Sequence, residues 1–378
     1  MSPRLGLLAG YNGPFEGSFV PMLRSLRDAA DARGWRVEMA FTTEVESFDW
    51  YRDLRAQGGA AVLEAPDAGR RTLTDWVGER FGPGSEPTLL HTHFTRFDLP
   101  ALALARKRPV TGVIWHIHTP LSWRPRAAAR NLLKYGLLGR SVDEIVAAGP
   151  DPARGAILAG APRGRVEVVG GGIEVDSFPL VGPALRAPAR SELGLDPEDR
   201  VLLHLAWDWR LKDGDLFLAT LRRLLDRGPE RSYVGVTVRG GEPARRGAEA
   251  LGLGPRLRIL DGAADIRDLY AAADLFVASS RVEGQPLAVI EAILSGLPVV
   301  ATDLPGHQDI CDGLASCRVV ERTPEAMAAA ARELLGRPRE RAEREAAEAR
   351  EAVAARFDLR PWAEKMVDRY ARVLAAHA

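Results

Sequence analysis

With 378 residues the chain is too long for one ordinary core, and at about 150 residues per domain it predicts two or three domains. Its 51 basic and 51 acidic side chains cancel, which argues against general nucleic-acid binding because such proteins carry a basic surface. No apolar run approaches the roughly 20 residues that span a bilayer, and the N-terminal RLGLLAG resembles a buried strand more than a signal peptide. Cys311 and Cys317 are the only cysteines and suit free thiols in a reducing compartment. We therefore expect a soluble cytoplasmic protein.

The first half of the chain alternates short apolar runs with amphipathic segments, which lie at 19–33, 97–107 and 125–139. Continuous apolar strands separated by helices predict a parallel sheet that is covered on both faces. The strands of this sheet are predicted at 4–10, 36–41, 60–63, 88–91, 110–116, 143–148 and 165–169.

The second half repeats the alternation after a Pro- and Gly-rich stretch, 178–200, that has little periodicity and that we interpret as a linker. From residue 324 the chain is helical, with a break at RFDLRPW. A second doubly wound α/β domain is therefore predicted. Its strands are predicted at 201–206, 233–238, 257–260, 274–279 and 298–302.

The stretch EGQPLAVIEAILSG, residues 283–296, directly follows one of these strands. Pro286 suits the first helical position and Gly296 the position just past the end of the helix. The helix N-terminus then falls at 284–286, where backbone N–H groups favour an anion. Glu291 lies on a helix that is apolar all round, so we predict it to be buried, and a buried carboxylate needs a partner. That partner is either an Arg or Lys of the protein or a pair of ligand hydroxyls.

The segment 269–310 resembles the E-x7-E block of retaining GT-B glycosyltransferases, with Glu283 and Glu291 as its two glutamates. The resemblance covers most of the chain, more strongly in the second half. It implies an α/β fold, GT-B, in which two doubly wound Rossmann-like domains face each other across a cleft. It also implies that Glu291 holds the ribose hydroxyls of a nucleotide. The donor sugar and phosphate would be contacted by Glu283 and by the backbone of Gly284, Gln285, Pro286 and Leu287.

The same resemblance implies a role for each part of the chain. The predicted parts are an acceptor-binding domain (1–178), a linker (179–200), a nucleotide-sugar-binding domain (201–356) and a C-terminal helix packing back on the first domain (357–378).

The segment LAWDWRLKDGDLFL, residues 205–218, is similar to the G-R-L-x-x-x-K-G segment of the family, whose Arg and Lys bind the diphosphate. Lys212 matches the Lys, but Trp207 stands at the position of the Arg. Arg210 could supply the second cation, because a leaving diphosphate needs charge neutralisation. A surface ion pair is the alternative role for Arg210, and Trp207 and Trp209 could equally be core residues.

A D-x-D sequence overlaps this segment at Asp213 and Asp215, and D-x-D is the metal motif of a different glycosyltransferase fold. Capping of the following helix by an Asp is the alternative explanation. Because His, Cys and carboxylate residues are otherwise unclustered along the sequence, we predict no metal ion.

The loop YNGPFEGSF, residues 11–19, does not have the G-x-G-x-x-G spacing, which disfavours a nicotinamide enzyme. In the family this loop faces the donor diphosphate, so Gly13 is a candidate donor contact, with turn geometry as the alternative. His118 matches the strand-end His that lies near the reacting sugar. His91 resembles a structural strand-end His, and His93 and His116 are interpreted as core or loop residues.

The segment RPRAAARNLLKYGLLGR, residues 124–140, carries Arg126, Arg130 and Lys134 at i, i+4 and i+8 with leucines opposite. A basic amphipathic helix can meet a membrane surface or an anionic acceptor. A solvated helix face is the other interpretation.

The resemblance implies a retaining, metal-independent hexosyltransferase without a cofactor, in which His118, Glu283 and Lys212 are the catalytic candidates. The donor co-substrate would be a nucleotide diphosphate sugar, with UDP and an N-acetylglucosaminyl or glucosyl group expected. The acceptor would offer a hydroxyl, and a soluble natural product such as an aminocyclitol antibiotic precursor is the favoured class. A nucleotide-sugar 2-epimerase and a non-catalytic nucleotide-sugar-binding subunit stay open. A sugar phosphorylase would need a pyridoxal-phosphate Lys, which the sequence does not identify.

Overall fold

The computed structural model describes residues 2–13, 16–57, 61–226, 232–262 and 265–377. These residues form two units, the first made of Met1–Glu174 with Phe357–Ala378 and the second of Val175–Arg356. Each unit contains one parallel sheet with helices, as the alternating pattern predicts.

The sheet of the first unit has the strand order β3-β2-β1-β4-β5-β6-β7, and every neighbouring pair is parallel. Its direction of winding reverses between β1 and β4, the topological switch point at which open α/β sheets bind ligands. The strands are β1 (Arg4–Ala9), β2 (Arg36–Thr42), β3 (Ala61–Ala65), β4 (Thr88–His93), β5 (Thr111–Ile117), β6 (Glu144–Ala147) and β7 (Val166–Val168).

Helices cover this sheet on both faces and bury two apolar clusters. One cluster includes the last helix of the chain, whose Trp362, Met366 and Tyr370 pack with residues of β1 and β2. The helices of the first unit are α1 (Phe19–Asp31), α2 (Asp49–Ala56), α3 (Arg70–Phe81), α4 (Asp98–Lys107), α5 (Pro125–Leu132), α6 (Pro150–Leu158) and, at the C-terminus, α15 (Leu359–Ala375).

The sheet of the second unit has the order β10-β9-β8-β11-β12-β13, again with parallel neighbours, and its switch point lies between β8 and β11. Its strands are β8 (Arg200–Leu205), β9 (Tyr233–Val238), β10 (Leu257–Leu260), β11 (Leu275–Ala278), β12 (Val299–Thr302) and β13 (Cys317–Val320). Its helices are α7 (Pro183–Glu192), α8 (Gly214–Leu225), α9 (Gly241–Ala250), α10 (Ile266–Ala272), α11 (Leu287–Leu294), α12 (Pro305–Cys311), α13 (Pro324–Leu335) and α14 (Arg339–Phe357).

The stretch that we expected to be a linker, 179–200, lies inside the second unit instead. Residues Pro183–Glu192 form α7, and the buried Arg190 of this helix donates to Asp274 Oδ2 at 2.6 Å and to the Pro197 carbonyl at 2.7 Å. The low periodicity misled the prediction because a short helix with an internal Pro188 shows no clear amphipathic repeat.

The strand predictions are confirmed within one or two residues for the described positions; Ala60, at the start of one predicted strand, lies outside them. Strand β13 was not predicted. It occupies the edge of the sheet, and its sequence CRVV has the charged Arg318 at its second position and only Cys317 buried.

Candidate functional site

In the second unit, the loops that follow β8 and β11 meet at the switch point of the sheet. The amide of Arg281 donates to the carbonyl of Leu211 at 2.8 Å, and the Ser279 hydroxyl donates to the carbonyl of Lys212, also at 2.8 Å. Two segments about 70 residues apart in sequence are thereby held side by side. Parallel strands end at the same edge of a sheet, so both segments present side chains at one location.

Lys212 and Glu283, two of the predicted catalytic residues, contact each other there. Lys212 Nζ donates to Glu283 Oε1 at 2.5 Å, and the Ser280 hydroxyl donates to the same oxygen at 2.6 Å. Only 14% of the Lys212 side chain and 10% of the Glu283 side chain are exposed. Removing either member of a pair so little hydrated would leave the other as a nearly buried charge without a partner, which is costly.

Glu291 lies on α11 and is half-buried, so the prediction that it is buried is wrong. It shares the less buried side of the helix with Leu287 and Ala288, at spacings of four and three residues. The phenol of Tyr270 donates to Glu291 Oε2 at 2.8 Å. Burial, and then the nearby Glu291 carboxylate, raise the pKa of Tyr270 well above its usual value, so the phenol stays a donor. The bond orients Glu291.

The turn before α11 differs in detail from the prediction. Pro286 precedes the helix, which begins at Leu287, and the Leu287 amide donates to the carbonyl of Gln285 at 2.9 Å. Gly284 is buried, and the predicted helix end after Ser295 is confirmed by Gly296, whose φ is +84°. The helix therefore begins one residue later than predicted, and a tight turn from Gln285 to Leu287 precedes it.

The two carboxylates of the D-x-D sequence have protein partners. Asp213, in the left-handed region at φ 47°, accepts from Arg281 Nη2 and from Arg322 Nη1, each at 2.7 Å. Asp215 accepts from the indole N–H of Trp209 at 3.0 Å. Asp213 does occupy the N-cap position of α8, but its side chain makes no capping hydrogen bond, so the capping explanation is wrong.

Arg281 and Arg322 are cations that the sequence reasoning missed. Each side chain is about half exposed (46%). Both form ion pairs with Asp213, which follows Lys212 in the same loop. Their positions in the sequence could have indicated a role, because Arg281 follows the end of β11 and Arg322 the end of β13 by a few residues. Both therefore lie at the carboxyl edge of the sheet, where ligands bind. Arg322 was hidden because β13 itself was not predicted.

Trp207, which stands at the position of the diphosphate Arg, and Arg210, the proposed substitute cation, both lie in solvent. Trp207 is 62% exposed, which rules out a core position, and its ring centroid is 5.6 Å from Lys212 Nζ. Arg210 is exposed and makes no side-chain hydrogen bond or ion pair within the described residues. Trp209 packs against Gly214 and the ring of His204.

In the first unit, an aromatic cluster of Tyr11 and Phe19 links the loop of Gly13 to His118. The Gly13 carbonyl accepts from the Trp50 indole at 3.0 Å, and a Cβ at Gly13 would come within 2.5 Å of the Tyr11 hydroxyl. Tyr11 contacts Phe19, whose ring lies 5.5 Å from that of His118. Close packing against Tyr11 is therefore a sufficient reason for a glycine at position 13.

Four histidines cluster in the first unit, contrary to the expectation that the metal-binding residue types are unclustered. They are two H-x-H pairs at the ends of neighbouring strands, His91 and His93 on β4 and His116 and His118 at the end of β5. The strands pair with His93 opposite His116. Because side chains alternate across a strand, all four rings lie on one face of the sheet. The two H-x-H pairs are visible in the sequence, but they form one cluster only because β4 and β5 are neighbours in the sheet.

The histidine rings form a contiguous network that is closed by the last helix. His91 Nδ1 lies 2.6 Å from the Tyr370 hydroxyl, His91 Nε2 lies 3.2 Å from His116 Nδ1, and His93 Nδ1 lies 2.9 Å from His118 Nε2. Burial lowers the pKa of His91 and of His118 to about 3, and lowers the pKa of His93 and of His116 well below the usual value. All four imidazoles are neutral at pH 7.

The basic segment after β5 also differs from the prediction. Helix α5 ends at Leu132 and continues as a π-helical turn over Leu133–Leu137. Lys134 faces inward and bonds to Asp98, whereas Leu132, Leu133 and Leu137 are 52%, 57% and 61% exposed. The leucines therefore lie in solvent. We call the exposed Arg126, Arg130, Leu132, Leu133 and Leu137 the arginine–leucine patch.

Two protein-family models match the chain. The model described as Glycosyltransferase Family 4 matches residues 22–177, and the model described as Glycosyl transferases group 1 matches residues 199–337. The two matched segments make up most of the chain. The chain belongs to these glycosyltransferase families. The group 1 match contains Lys212, Glu283 and Glu291, and the family 4 match contains the four histidines.

One relative of this chain is the D-inositol 3-phosphate glycosyltransferase of Streptosporangium roseum, which is 32% identical over 268 residues. That match covers 67% of this chain and 60% of the relative. A second D-inositol 3-phosphate glycosyltransferase, from Catenulispora acidiphila, is 33% identical over 194 residues, covering 48% of this chain and 45% of the relative. The chain thus spans about half to three fifths of the length of these curated relatives.

Solved structures establish the fold. Anabaena Alr3699/HepE, determined in complex with UDP and glucose, superimposes with a TM-score of 0.79 over 98% of this chain and 99% of that chain, at 18% identity. Sucrose-phosphate synthase from Thermosynechococcus elongatus gives a TM-score of 0.76 over the full length of both chains, at 21% identity. The fold of this chain is GT-B, which confirms the predicted fold class. Among the described residues, no helix is both long and apolar enough to cross a membrane.

Proposed function

We propose that the protein is a retaining glycosyltransferase that transfers a hexosyl group from a nucleotide diphosphate sugar to an acceptor hydroxyl. The observation that carries the proposal is the buried Lys212–Glu283 pair at the switch point of the second unit. Glu291, held by Tyr270, supports it as the ribose-binding carboxylate. The family membership and the relatives named as glycosyltransferases agree with this activity.

In the proposed reaction the bond between the anomeric carbon and the diphosphate oxygen breaks, and a bond to the acceptor oxygen forms on the same face. The proton of the acceptor hydroxyl passes to the departing diphosphate. The diphosphate gains negative charge in the transition state, so positioned cations lower the barrier. We assign this role to Lys212, with Arg281 and Arg322 as the nearby cations on the same unit.

Glu283 is proposed to orient Lys212 and to accept from a hydroxyl of the donor sugar. The turn at 284–287 is proposed to contact the phosphate and the sugar through backbone groups. His118 and Gly13 remain the candidates that the first unit contributes, and neutral His118 would act as a hydrogen-bonding rather than a charged group. Metal independence is part of the proposal, because Asp213 and Asp215 both have protein partners.

We propose UDP as the nucleotide and a glucosyl or N-acetylglucosaminyl group as the sugar. HepE was solved with UDP and glucose, and a second solved structure of this fold, from E. coli, with UDP-2-fluoro glucose. For the acceptor we propose a small cyclic polyol. Two relatives are named for D-inositol 3-phosphate, and an aminocyclitol antibiotic precursor belongs to the same chemical class.

A donor panel tests the proposal. UDP-, GDP- and ADP-linked hexoses are added singly, and thermal unfolding and nucleotide release are measured with and without inositol phosphates and aminocyclitols. We expect one donor to raise the unfolding temperature by several degrees, because a ligand that binds only the folded state stabilises it. Nucleotide release should require an acceptor. Release of an epimerised sugar without acceptor would instead indicate the 2-epimerase, and donor binding without any turnover would indicate the non-catalytic subunit.

A lipid-borne acceptor is the second candidate, and the arginine–leucine patch is the observation that favours it. Its exposed leucines and arginines lie in a segment, 119–142, that contains no acidic residue. Apolar side chains that insert at a bilayer interface, together with basic side chains that attract anionic lipids, are the features of an interfacial helix.

We expect the protein to sediment with vesicles containing phosphatidylglycerol at low salt, and Leu133→Glu/Leu137→Glu to reduce the bound fraction about tenfold or more. Leu185→Glu is the matched control, because Leu185 is 44% exposed and lies outside the patch in the second unit. Salt should weaken the interaction. Equal recovery in the supernatant with and without vesicles would remove the lipid-borne acceptor from consideration.

A further inference from the structure

Two ring nitrogens of the histidine cluster lack a partner. Within the described part of the chain, Nε2 of His93 and Nε2 of His116 are buried and have no hydrogen-bond partner, and the two residues are 0% and 1% exposed. Buried polar atoms are nearly always satisfied, and each exception calls for a water, an ion or another explanation. Leaving both nitrogens unsatisfied would cost free energy in a packed core.

The spacing of the rings suits a shared metal ion. His91, His93 and His116 each offer a nitrogen such that the three atoms lie within 4.8 Å of one another. His91 Nε2 and His116 Nδ1 are 3.2 Å apart, so an ion shared by these two atoms would use Nε2 of His93 as its third ligand and would leave Nε2 of His116 to a water molecule. Two nitrogens bound to one tetrahedral zinc ion at about 2.0–2.1 Å would lie roughly 3.3 Å apart, and three imidazoles are an established zinc ligand set.

The outer hydrogen bonds direct two of the rings inward. His91 Nδ1 is engaged by the Tyr370 hydroxyl and His93 Nδ1 by His118, so the Nε2 atom of each ring faces the cluster. A histidine that binds a metal characteristically uses its other ring nitrogen for such an outer hydrogen bond, which fixes the orientation of the ring.

We propose that His91, His93 and His116 bind one divalent transition-metal ion of the zinc type, with Tyr370 and His118 as outer partners. The site joins β4 to β5 and, through Tyr370, connects both strands to α15. Its expected effect is structural, because the ion adds a link between the sheet and the C-terminal helix. The inference does not rest on the proposed transfer reaction: it shares only His118 with the candidates for that reaction, and here His118 is an outer partner of His93 and not a ligand.

The test measures metal content and stability rather than activity. Untagged protein is stripped with a chelator, incubated with zinc, desalted and analysed by mass spectrometry for bound metal, and cobalt is added separately for its visible spectrum. The variants are His116→Asn and His93→Gln. The controls are His204→Asn, a buried histidine of the second unit, and Cys311→Ser/Cys317→Ser, which removes the thiols as ligands.

We expect one zinc per chain in the wild type and in both controls, and less than about 0.1 per chain in the two cluster variants. Cobalt should give the absorption of a tetrahedral site. Zinc at roughly 100-fold above its Kd should raise the unfolding temperature of the stripped wild type by about 5–10 °C, and should not raise that of the His93→Gln variant.

Other outcomes overturn the inference. Stripped wild type that binds no zinc and shows no thermal shift would mean that water or the imidazoles themselves satisfy the cluster. Zinc retained by a cluster variant, or lost with the cysteines, would assign the ion to another site. If His116→Asn does not fold, His93→Gln decides, because His93 contributes a different ligand to the same ion.

Discussion

Replacing Lys212 by methionine is expected to lower turnover about 100- to 1,000-fold while weakening donor binding by less than about tenfold. The reason is that the charge of Lys212 acts mainly on the diphosphate as it departs, when its negative charge is greatest. Methionine keeps the length and apolar stem of the lysine. The measurements are kcat from nucleotide release and donor Kd from calorimetry.

The loss of Lys212 also leaves Glu283 as a nearly buried carboxylate without its cation. Breaking such a pair costs about 3–5 kcal/mol, so the free energy of unfolding must be measured for each variant. The double variant Lys212→Met/Glu283→Gln removes the unpaired charge and should recover stability but not turnover. Lys365→Met, at an exposed position of α15, is the matched control. A folded Lys212→Met protein with full turnover would contradict the assignment.

Replacing Glu291 by glutamine is expected to weaken binding of the donor nucleotide about 10- to 100-fold, because hydrogen bonds to a charged carboxylate contribute about 1.5–3 kcal/mol. Glutamine retains an oxygen that can accept from Tyr270, so the helix and its packing should be preserved. Calorimetry with the donor and with the free nucleotide measures the change.

The matched control is Glu348→Gln, an exposed glutamate on α14 of the same unit. Tyr270→Phe removes only the orienting hydrogen bond and should produce a smaller loss of affinity than Glu291→Gln. If Glu291→Gln binds the donor as tightly as the wild type, the ribose assignment fails, whether or not the enzyme remains active.

Most of the fold could be predicted from the sequence because it is encoded in short patterns. Apolar runs of four to seven residues identify the strands of both sheets, and Gly296 marks the end of α11 correctly. The failures concern elements without a pattern. Strand β13 lies at a sheet edge with Arg318 inside CRVV, and α7 carries an internal Pro188 and buries the charged Arg190, so neither shows a continuous apolar pattern.

The sequence predicted which residues belong to the candidate site but not which residues they contact. Lys212, Glu283 and Glu291 were selected from local segments, but the partner of each was not. Asp213 was noted as part of a D-x-D sequence and explained as a helix cap with no metal predicted, whereas Arg281 and Arg322 bind it from loops that follow β11 and β13. The exposed Leu133 and Leu137 were expected opposite the basic residues of a regular helix, and the π-helical turn changes the faces that they occupy.

The sequence by itself determined the positions of the strands, the two-domain α/β class and the residue types that carry charge at strand ends. Only the tertiary structure decided that Lys212 meets Glu283, that Tyr370 of the last helix reaches His91, and that four histidines share one face. The physical reason is that periodicity reports the surroundings of a residue within a few positions. Contacts between parallel strands depend on the strand order, which is set by long crossover connections and by packing across the whole unit.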